Sequence, residues 1–244
     1  VEKKDIGGMC LNWGCIPSKA VIESAKYFEK LDQAEEFGVD GIEKDKLSFN
    51  WDNAKNRAIR IAKKLTKGVD YLLKKNGVDV IKGEARITSG NSISVGNRHI
   101  EATNLMIATG SYPNKLHENI PEDKILELEY LYDEKELPDS VAVVGMGGVA
   151  VEMAQFFAMI GKKVTLVTPV KNLLPLADQY LNDYIYNRLK KDDVDIAVDD
   201  NIKGYEKGKL KVGNAEIACD KVLNASNRGA VIPPMDIDVK LNDH

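Results

Sequence analysis

Apolar residues recur at helical spacing twice in the first third of the chain. Over residues 17–31 they are Val21, Ala25, Phe28 and Leu31, and over residues 49–73 they are Trp51, Ala54, Ala58, Ile61, Leu65, Val69 and Leu72. Steps of three and four put each set on one helix face, so two amphipathic helices are expected, each with its stripe turned to a core. Asn50 or Asp52 can cap the second, and Asn76-Gly77 ends it as a left-handed cap does. The pattern then shortens. Residues 78–82, 85–88, 92–95, 99–101 and 105–108 are brief runs with turn residues between them, which predicts a small antiparallel layer feeding back into a main sheet.

A second unit opens after Leu137-Pro138-Asp139-Ser140 breaks the rhythm. A strand over 141–144 runs into Gly145-Met146-Gly147-Gly148-Val149-Ala150, then a helix to Ile160, Gly161, and a strand over 164–168. A helix over 178–191, a strand over 194–198, a hairpin of 209–212 with 216–218 around Gly213-Asn214, and a strand over 221–225 follow. The expected fold class is α/β, with two Rossmann-like dinucleotide-binding units in tandem over residues 1–137 and 138–244, the first incomplete at its N-terminus.

Composition supports this and narrows the partners. Of 244 residues, 43% are hydrophobic and 30% charged, as in a soluble globular protein that buries a real core. The net charge of -4 comes with no basic patch interleaved with aromatics, which gives nucleic acid no support as a partner. The longest apolar runs are of buried-strand length, far short of the ~20 residues a bilayer requires. Val1 is not an initiator methionine, so both ends are expected to be cut and any targeting segment is unread.

The chemistry sits in two stretches. Gly145, Gly147, Gly148 and Ala150 form the dinucleotide fingerprint in its G-x-G-x-x-A form, with strand, loop, helix and second strand in the required order. Amides at the helix start would receive a pyrophosphate. Thr168 stands where an acidic residue would bind the ribose of NAD, and Pro169 follows where an NADP enzyme places an Arg, so neither coenzyme is selected; Lys171 is twice as readily read as a solvated lysine as a 2'-phosphate ligand.

Gly7-Gly8-Met9-Cys10-Leu11-Asn12-Trp13-Gly14-Cys15-Ile16-Pro17-Ser18-Lys19 is the second stretch, with four residues between its cysteines. Pro17 suits a helix's first turn and Ser18 can cap it, so Cys15 is expected at a positive helix end, which together with Lys19 lowers a thiol pKa. A structural disulfide fits poorly with three cysteines, and no metal site is expected, because the three scattered histidines supply no zinc ligand set. Cys219 reads as a small buried residue.

This stretch resembles the signature of the flavin-dependent pyridine-nucleotide disulfide oxidoreductases. Leu11, Ile16 and Ser18 are most similar to the dihydrolipoyl dehydrogenases among them, while Trp13 is not the usual residue there. The resemblance implies FAD and NAD as cofactors, with NADP not excluded, and a Cys10–Cys15 redox disulfide in which Cys15 faces the flavin and Cys10 exchanges with substrate. It implies a Lys19–Glu152 pair, buried and fixing a cation near the flavin. Glu2 would be the ribose-binding acid of the truncated FAD half, with Gly7, Gly8, Ala85 and the Ala-Thr-Gly-Ser stretch of Thr109, Gly110 and Ser111 against FAD. Ile202 would contact the nicotinamide dinucleotide; Asn227 replaces a family glycine, which puts the local turn in doubt.

The implied substrate is a small-molecule or lipoyl-domain dithiol, in a homodimer of the cytoplasm or mitochondrial matrix. The chain stops at His244, before the partner-supplied His and Glu of that family, so alone it is expected not to turn over. Two other readings stay open: a relative acting on another disulfide or on mercuric ion, and a non-catalytic nucleotide-binding module.

Overall fold

A sheet of parallel strands carries the second unit. The computed structural model describes residues 1–240. Its central strand β6 (Ser140–Gly145) is buried from Val141 onward, because both faces are covered, and so it reads as an unbroken apolar run. With β5 (Ile125–Glu127), β12 (Lys221–Ala225), β7 (Lys163–Thr168) and β8 (Asp195–Val198) it forms a five-stranded parallel sheet in the order β5-β12-β6-β7-β8. Helix α4 (Gly148–Met159) connects β6 to β7, and α5 (Gln179–Lys191) connects β7 to β8. Asp178 caps α5, its carboxylate accepting from the Leu181 amide at 2.8 Å. The other sheet face is covered by an antiparallel layer of β9 (Ile202–Glu206), β10 (Lys209–Val212) and β11 (Ala215–Ala218), whose Leu210 and Val212 bury against Ala142, Val144 and Val167. Cys219 lies in this second core, 3% exposed, and burial pushes its thiol pKa up.

The first unit is built from α1 (Gly8–Asn12), α2 (Cys15–Asp32), α3 (Trp51–Lys75) and an antiparallel sheet of β1 (Ala85–Ser89), β2 (Ser92–Val95) and β3 (Arg98–Glu101). Asn50 caps α3 as expected, accepting from the Asn53 amide at 2.9 Å, and Gly77 ends it at φ 68°. One hydrophobic core runs through both units: Ala20, Val21 and Ala25 of α2, Trp51, Ala54 and Ala58 of α3, and Met153, Phe156 and Phe157 of α4. Phe156 is its hub, with ring centroids 5.2 Å from Phe157, 6.2 Å from Trp51 and 6.3 Å from Phe49.

The chain crosses between the units twice, side by side. β4 (Ser111–Pro113) leads out and β13 (Arg228–Ala230) leads back, paired antiparallel. The returning segment reaches β1, where the Ile87 amide donates to the Pro234 carbonyl at 2.9 Å and Arg86 pairs with Asp236. Residues 231–236 thus rejoin the first unit, and β5 joins the second sheet although it precedes the expected division at 137/138.

Three expectations are corrected. Residues 78–82 make only one parallel bridge, Lys82 with Glu2. Residues 105–108 form no strand, since no neighbouring strand among the described residues supplies a ladder, and Met106 is 88% exposed. The apolar stripe of α3 is buried only in its first half; Leu65 and Leu72 face solvent.

Phe156→Ala is expected to destabilise the protein by about 3–5 kcal/mol, read as a lower denaturant midpoint, whereas Leu176→Ala, at a fully exposed side chain, moves it by less than about 0.5 kcal/mol. Equal shifts would refute the shared core.

Candidate active site

A tight reversal between α1 and α2 brings the two cysteines together. The Trp13 and Gly14 amides both donate to the Met9 carbonyl, at 3.1 and 2.7 Å. Glycine at position 14 suits this close approach: a Cβ would lie a tight 3.0 Å from the Met9 carbonyl oxygen and 3.2 Å from Cys10 Cα. Asn12 secures the turn by donating to the Ile6 and Gly8 carbonyls at 3.0 and 2.9 Å, and Thr66 of α3 donates to it at 3.3 Å. Cys15 then opens α2, with Cys10 in the turn just before it; both are free thiols and exposed.

Two local expectations change. Gly14, not Ser18, occupies the N-cap position, and the Ser18 hydroxyl instead donates to the Cys15 carbonyl at 3.2 Å. Pro17 sits in the first turn as expected, where its missing amide hydrogen has no helical acceptor to lose. The Cys15 pKa is raised rather than lowered. The Cys10 thiol bonded to it is the largest cause, followed by burial and by the charge Cys10 itself would carry; the backbone amides and Lys19 pull the other way and are outweighed.

Lys19, one helical turn along α2, meets Glu152 in the first turns of α4. Its ammonium lies 2.7 and 2.6 Å from the two carboxylate oxygens, so the pair spans the two units. It is not buried: the side chains are 58% and 38% exposed. A pair this exposed contributes about 0–1 kcal/mol.

Arg228 ties the crossing strands to the cysteine turn. Its guanidinium donates to the Ser111 hydroxyl and carbonyl at 2.9 and 2.7 Å and stacks 5.3 Å from the centroid of the Trp13 ring, between the cysteines in sequence. Asn12 lies within the cysteine stretch and Arg228 directly after Asn227, but the sequence assigned neither a role. Thr109 donates to the Val231 carbonyl at 2.5 Å, and the Val231 amide returns a bond to Gly110 at 3.0 Å. Gly7 and Gly8 are exposed where α1 begins. Glu2 turns its carboxylate onto the Lys4 amide at 2.8 Å, beside Ile81, and Ala85 packs with Ile87 and Val95.

Gly145 and Met146, at the start of the glycine loop, line a groove of about 260 Å³ at the C-terminal ends of β6, β7 and β12, with Pro169, Asp199, Asp200, Ile202 and Asn227. Gly145 admits no side chain, since a Cβ would stand 2.0 Å from the Ala225 carbonyl oxygen. Gly147 and Gly148 leave open space at the start of α4, and Ala150 is fully buried beneath them. That is a cradle for a phosphate-bearing ligand at a helix N-terminus. Thr168, expected at the ribose, is fully buried with its hydroxyl donating to Val170 at 3.0 Å, so it presents nothing to the groove. Lys171 lies 5.9 Å from the Tyr186 ring centroid. Asn227 does not take a positive φ, so the lost glycine costs the turn nothing; its carbonyl accepts from Asn114 at 3.0 Å. Asp199 and Asp200 were not anticipated. A larger hollow of about 410 Å³ between α2, α4 and α5 contains neither thiol nor glycine loop. Among the described residues no three metal-ligating side chains cluster, and no helix is long and apolar enough to cross a membrane.

Comparison with known proteins agrees with this arrangement. The family described as pyridine nucleotide-disulphide oxidoreductase matches residues 1–230. The dihydrolipoyl dehydrogenase of Chlorobaculum tepidum is 37% identical over 235 residues, which is 93% of this chain and 50% of that protein. That of Bacillus subtilis is 32% identical over 80% of this chain and 44% of its own length. The HOCl-induced flavoprotein disulfide reductase RclA from Escherichia coli superposes with a TM-score of 0.74 at 26% identity, over 92% of this chain and 49% of that one. The chain thus spans about half the length of the relatives it matches.

Cys10→Ala removes the main cause of the raised Cys15 pKa. The pH midpoint of Cys15 alkylation is therefore expected to fall, and its rate near neutrality to rise several-fold, in a stopped-time iodoacetamide assay read by mass spectrometry. A midpoint that stays put or climbs would contradict the thiol contact.

Proposed function

Because the chain belongs to the pyridine nucleotide-disulphide oxidoreductase family, we propose that the protein is a flavin-dependent disulfide oxidoreductase that oxidises a dihydrolipoyl dithiol, with FAD and NAD as cofactors. The observation that carries this is the tight reversal that brings Cys10 of α1 next to Cys15 at the start of α2. Dihydrolipoyl dehydrogenases at 32–37% identity supply the substrate class.

Sulfur exchange then runs as follows. In the oxidised enzyme Cys10 and Cys15 are joined. A substrate thiolate attacks the Cys10 sulfur, the Cys10–Cys15 bond breaks, and Cys15 leaves as a thiolate. The substrate's second thiol, once deprotonated, attacks its own sulfur in the mixed disulfide, closes the substrate disulfide and releases Cys10. Two electrons now reside on the enzyme's sulfurs and two protons have left the substrate. The helix start and Lys19 favour negative charge on Cys15. FAD, when bound, takes these electrons and passes them to nicotinamide as a hydride.

Glu152 keeps the Lys19 ammonium in one place. Gly7, Gly8, Thr109, Gly110 and Ser111 are assigned to the flavin side, with Glu2 and Ala85 toward its adenosine end. The Gly145, Gly147, Gly148 and Ala150 loop, with Ile202 and Asn227, is assigned to the nicotinamide dinucleotide; the open Cβ positions at Gly147 and Gly148 fit a pyrophosphate. The full enzyme is read as a homodimer acting on free or protein-borne lipoyl groups in the cytoplasm.

The full-length protein is expected to purify yellow and, on two-electron reduction, to show a long-wavelength thiolate-to-flavin band that Cys15→Ser abolishes; a band surviving that change would defeat the assignment. Glu152→Gln should change stability by no more than about 1 kcal/mol yet slow flavin reduction by NADH about 10²-fold, as loss of positioning does. Stopped-flow absorbance measures the second effect, and an unchanged rate would remove the pair from the mechanism.

A further inference from the structure

We infer that Asp199 and Asp200 take the place of the missing strand-end acid, so that the groove selects NAD over NADP by receiving a free ribose diol and repelling a 2'-phosphate. This rests on the dinucleotide reading of the groove.

In a unit of this topology the adenosine ribose meets the C-terminal end of the second strand, here β7. Thr168 ends that strand with its hydroxyl already engaged and its side chain buried. The neighbouring strand end fills the position. Asp199, directly after β8, donates its amide to the Thr168 carbonyl at 2.9 Å and lines the groove together with Asp200.

The Asp199 carboxylate is held in place. One oxygen accepts from the Asn201 amide at 2.9 Å; the other lies against Gly213, where a Cβ would come within 2.0 Å of it. The Gly213 amide in turn donates to the Asn201 carbonyl at 2.8 Å, which closes the loop around the acid. One lone-pair direction is used by the Asn201 amide, and a carboxylate has about four. Asp200 is exposed beside it.

Among the described residues the groove's lining holds one basic side chain, Lys115. Lys171, just past the end of β7, lies 5.9 Å from the Tyr186 ring centroid. Lys115 lines the groove next to Asn114, whose carbonyl accepts from Asn224 of β12 at 2.9 Å, so it stands on the other side of β6. A ribose hydroxyl can donate to a carboxylate, whereas a phosphate monoester of about −1.5 to −2 charge is repelled by two.

The test compares NADH and NADPH in the full-length holoenzyme, by calorimetric binding and by kcat/KM, for the wild type, Asp200→Asn and Asp199→Asn/Asp200→Asn. Asparagine keeps the acceptor for the Asn201 amide, so the loop is preserved. The wild type is expected to favour NADH, and the double variant to lose about tenfold or more of that preference, the worth of one charge-assisted bond. Asp200→Asn should account for part of that loss. A wild type that favours NADPH or does not discriminate, or a ratio unmoved by the double variant, overturns the inference while leaving the disulfide chemistry standing. If neither dinucleotide binds the wild type, the reading of the groove falls, and this inference with it.

Discussion

The packing of α2 against α4 is the constraint on which the rest depends. Small side chains make it possible: Ala20, Val21 and Ala25 are at most 7% exposed, and they let the two helices meet over the Phe156 and Phe157 rings. Close-packed interiors resist sliding, because any shift opens voids or forces rotamers. The seam therefore sets the distance between the cysteine turn at the start of α2 and the glycine loop at the start of α4. Lys19 and Glu152 meet because their helices are already placed. At their exposure the ion pair is too weak to impose that geometry, so causality runs from the apolar seam to the charge pair.

The same ordering explains the thiols. A helix N-terminus and a lysine each favour a thiolate at Cys15, and both act in that direction. They lose to a nearer neighbour. A second sulfur in hydrogen-bonding contact stabilises the protonated form and would repel a second charge, and this exceeds two influences arriving through partly solvated paths. Proximity, enforced at Gly14, matters more to the chemistry than the general field of the helix.

Much of this was legible in the residues. The two long amphipathic helices, the strand–glycine–helix–strand order of residues 140–168 and the position of Cys15 at a helix start follow from local periodicity and turn chemistry, and the structure agrees; the short helix α1 that holds Cys10 was not foreseen. What escaped depends on distant partners. Residues 105–108 are apolar enough for a strand, but a strand exists only with a ladder neighbour, which local sequence does not reveal. β5 is three residues long and is recruited by β12, nearly a hundred positions away. Ser18 has the right chemistry for a cap but lies inside the helix, because Gly14 begins it earlier. Leu65 and Leu72 obey the helical period yet find no neighbour, since period reports a face and not what covers it. Thr168 was placed correctly in the strand, but its hydroxyl bonds its own chain at Val170 and its side chain is buried, which local sequence does not reveal.

The two crossings impose a further condition. A unit inserted between β4 and β13 hangs on a two-stranded ribbon, and such a ribbon alone is marginal. The returning segment after β13 is pinned to β1 at Ile87, and Arg228 fastens the ribbon from the other side by bonding Ser111 and stacking on Trp13. A valine or other aliphatic residue at position 13 would offer that guanidinium no π face. Trp13, the residue of the cysteine stretch that departs from the family pattern, thus has a structural reason: it extends the cysteine turn into the hinge, so that a displacement of the ribbon is felt at the loop between the two sulfurs. The apolar seam holds the units in register along the helices, and the Trp13–Arg228 contact holds them where the backbone passes through.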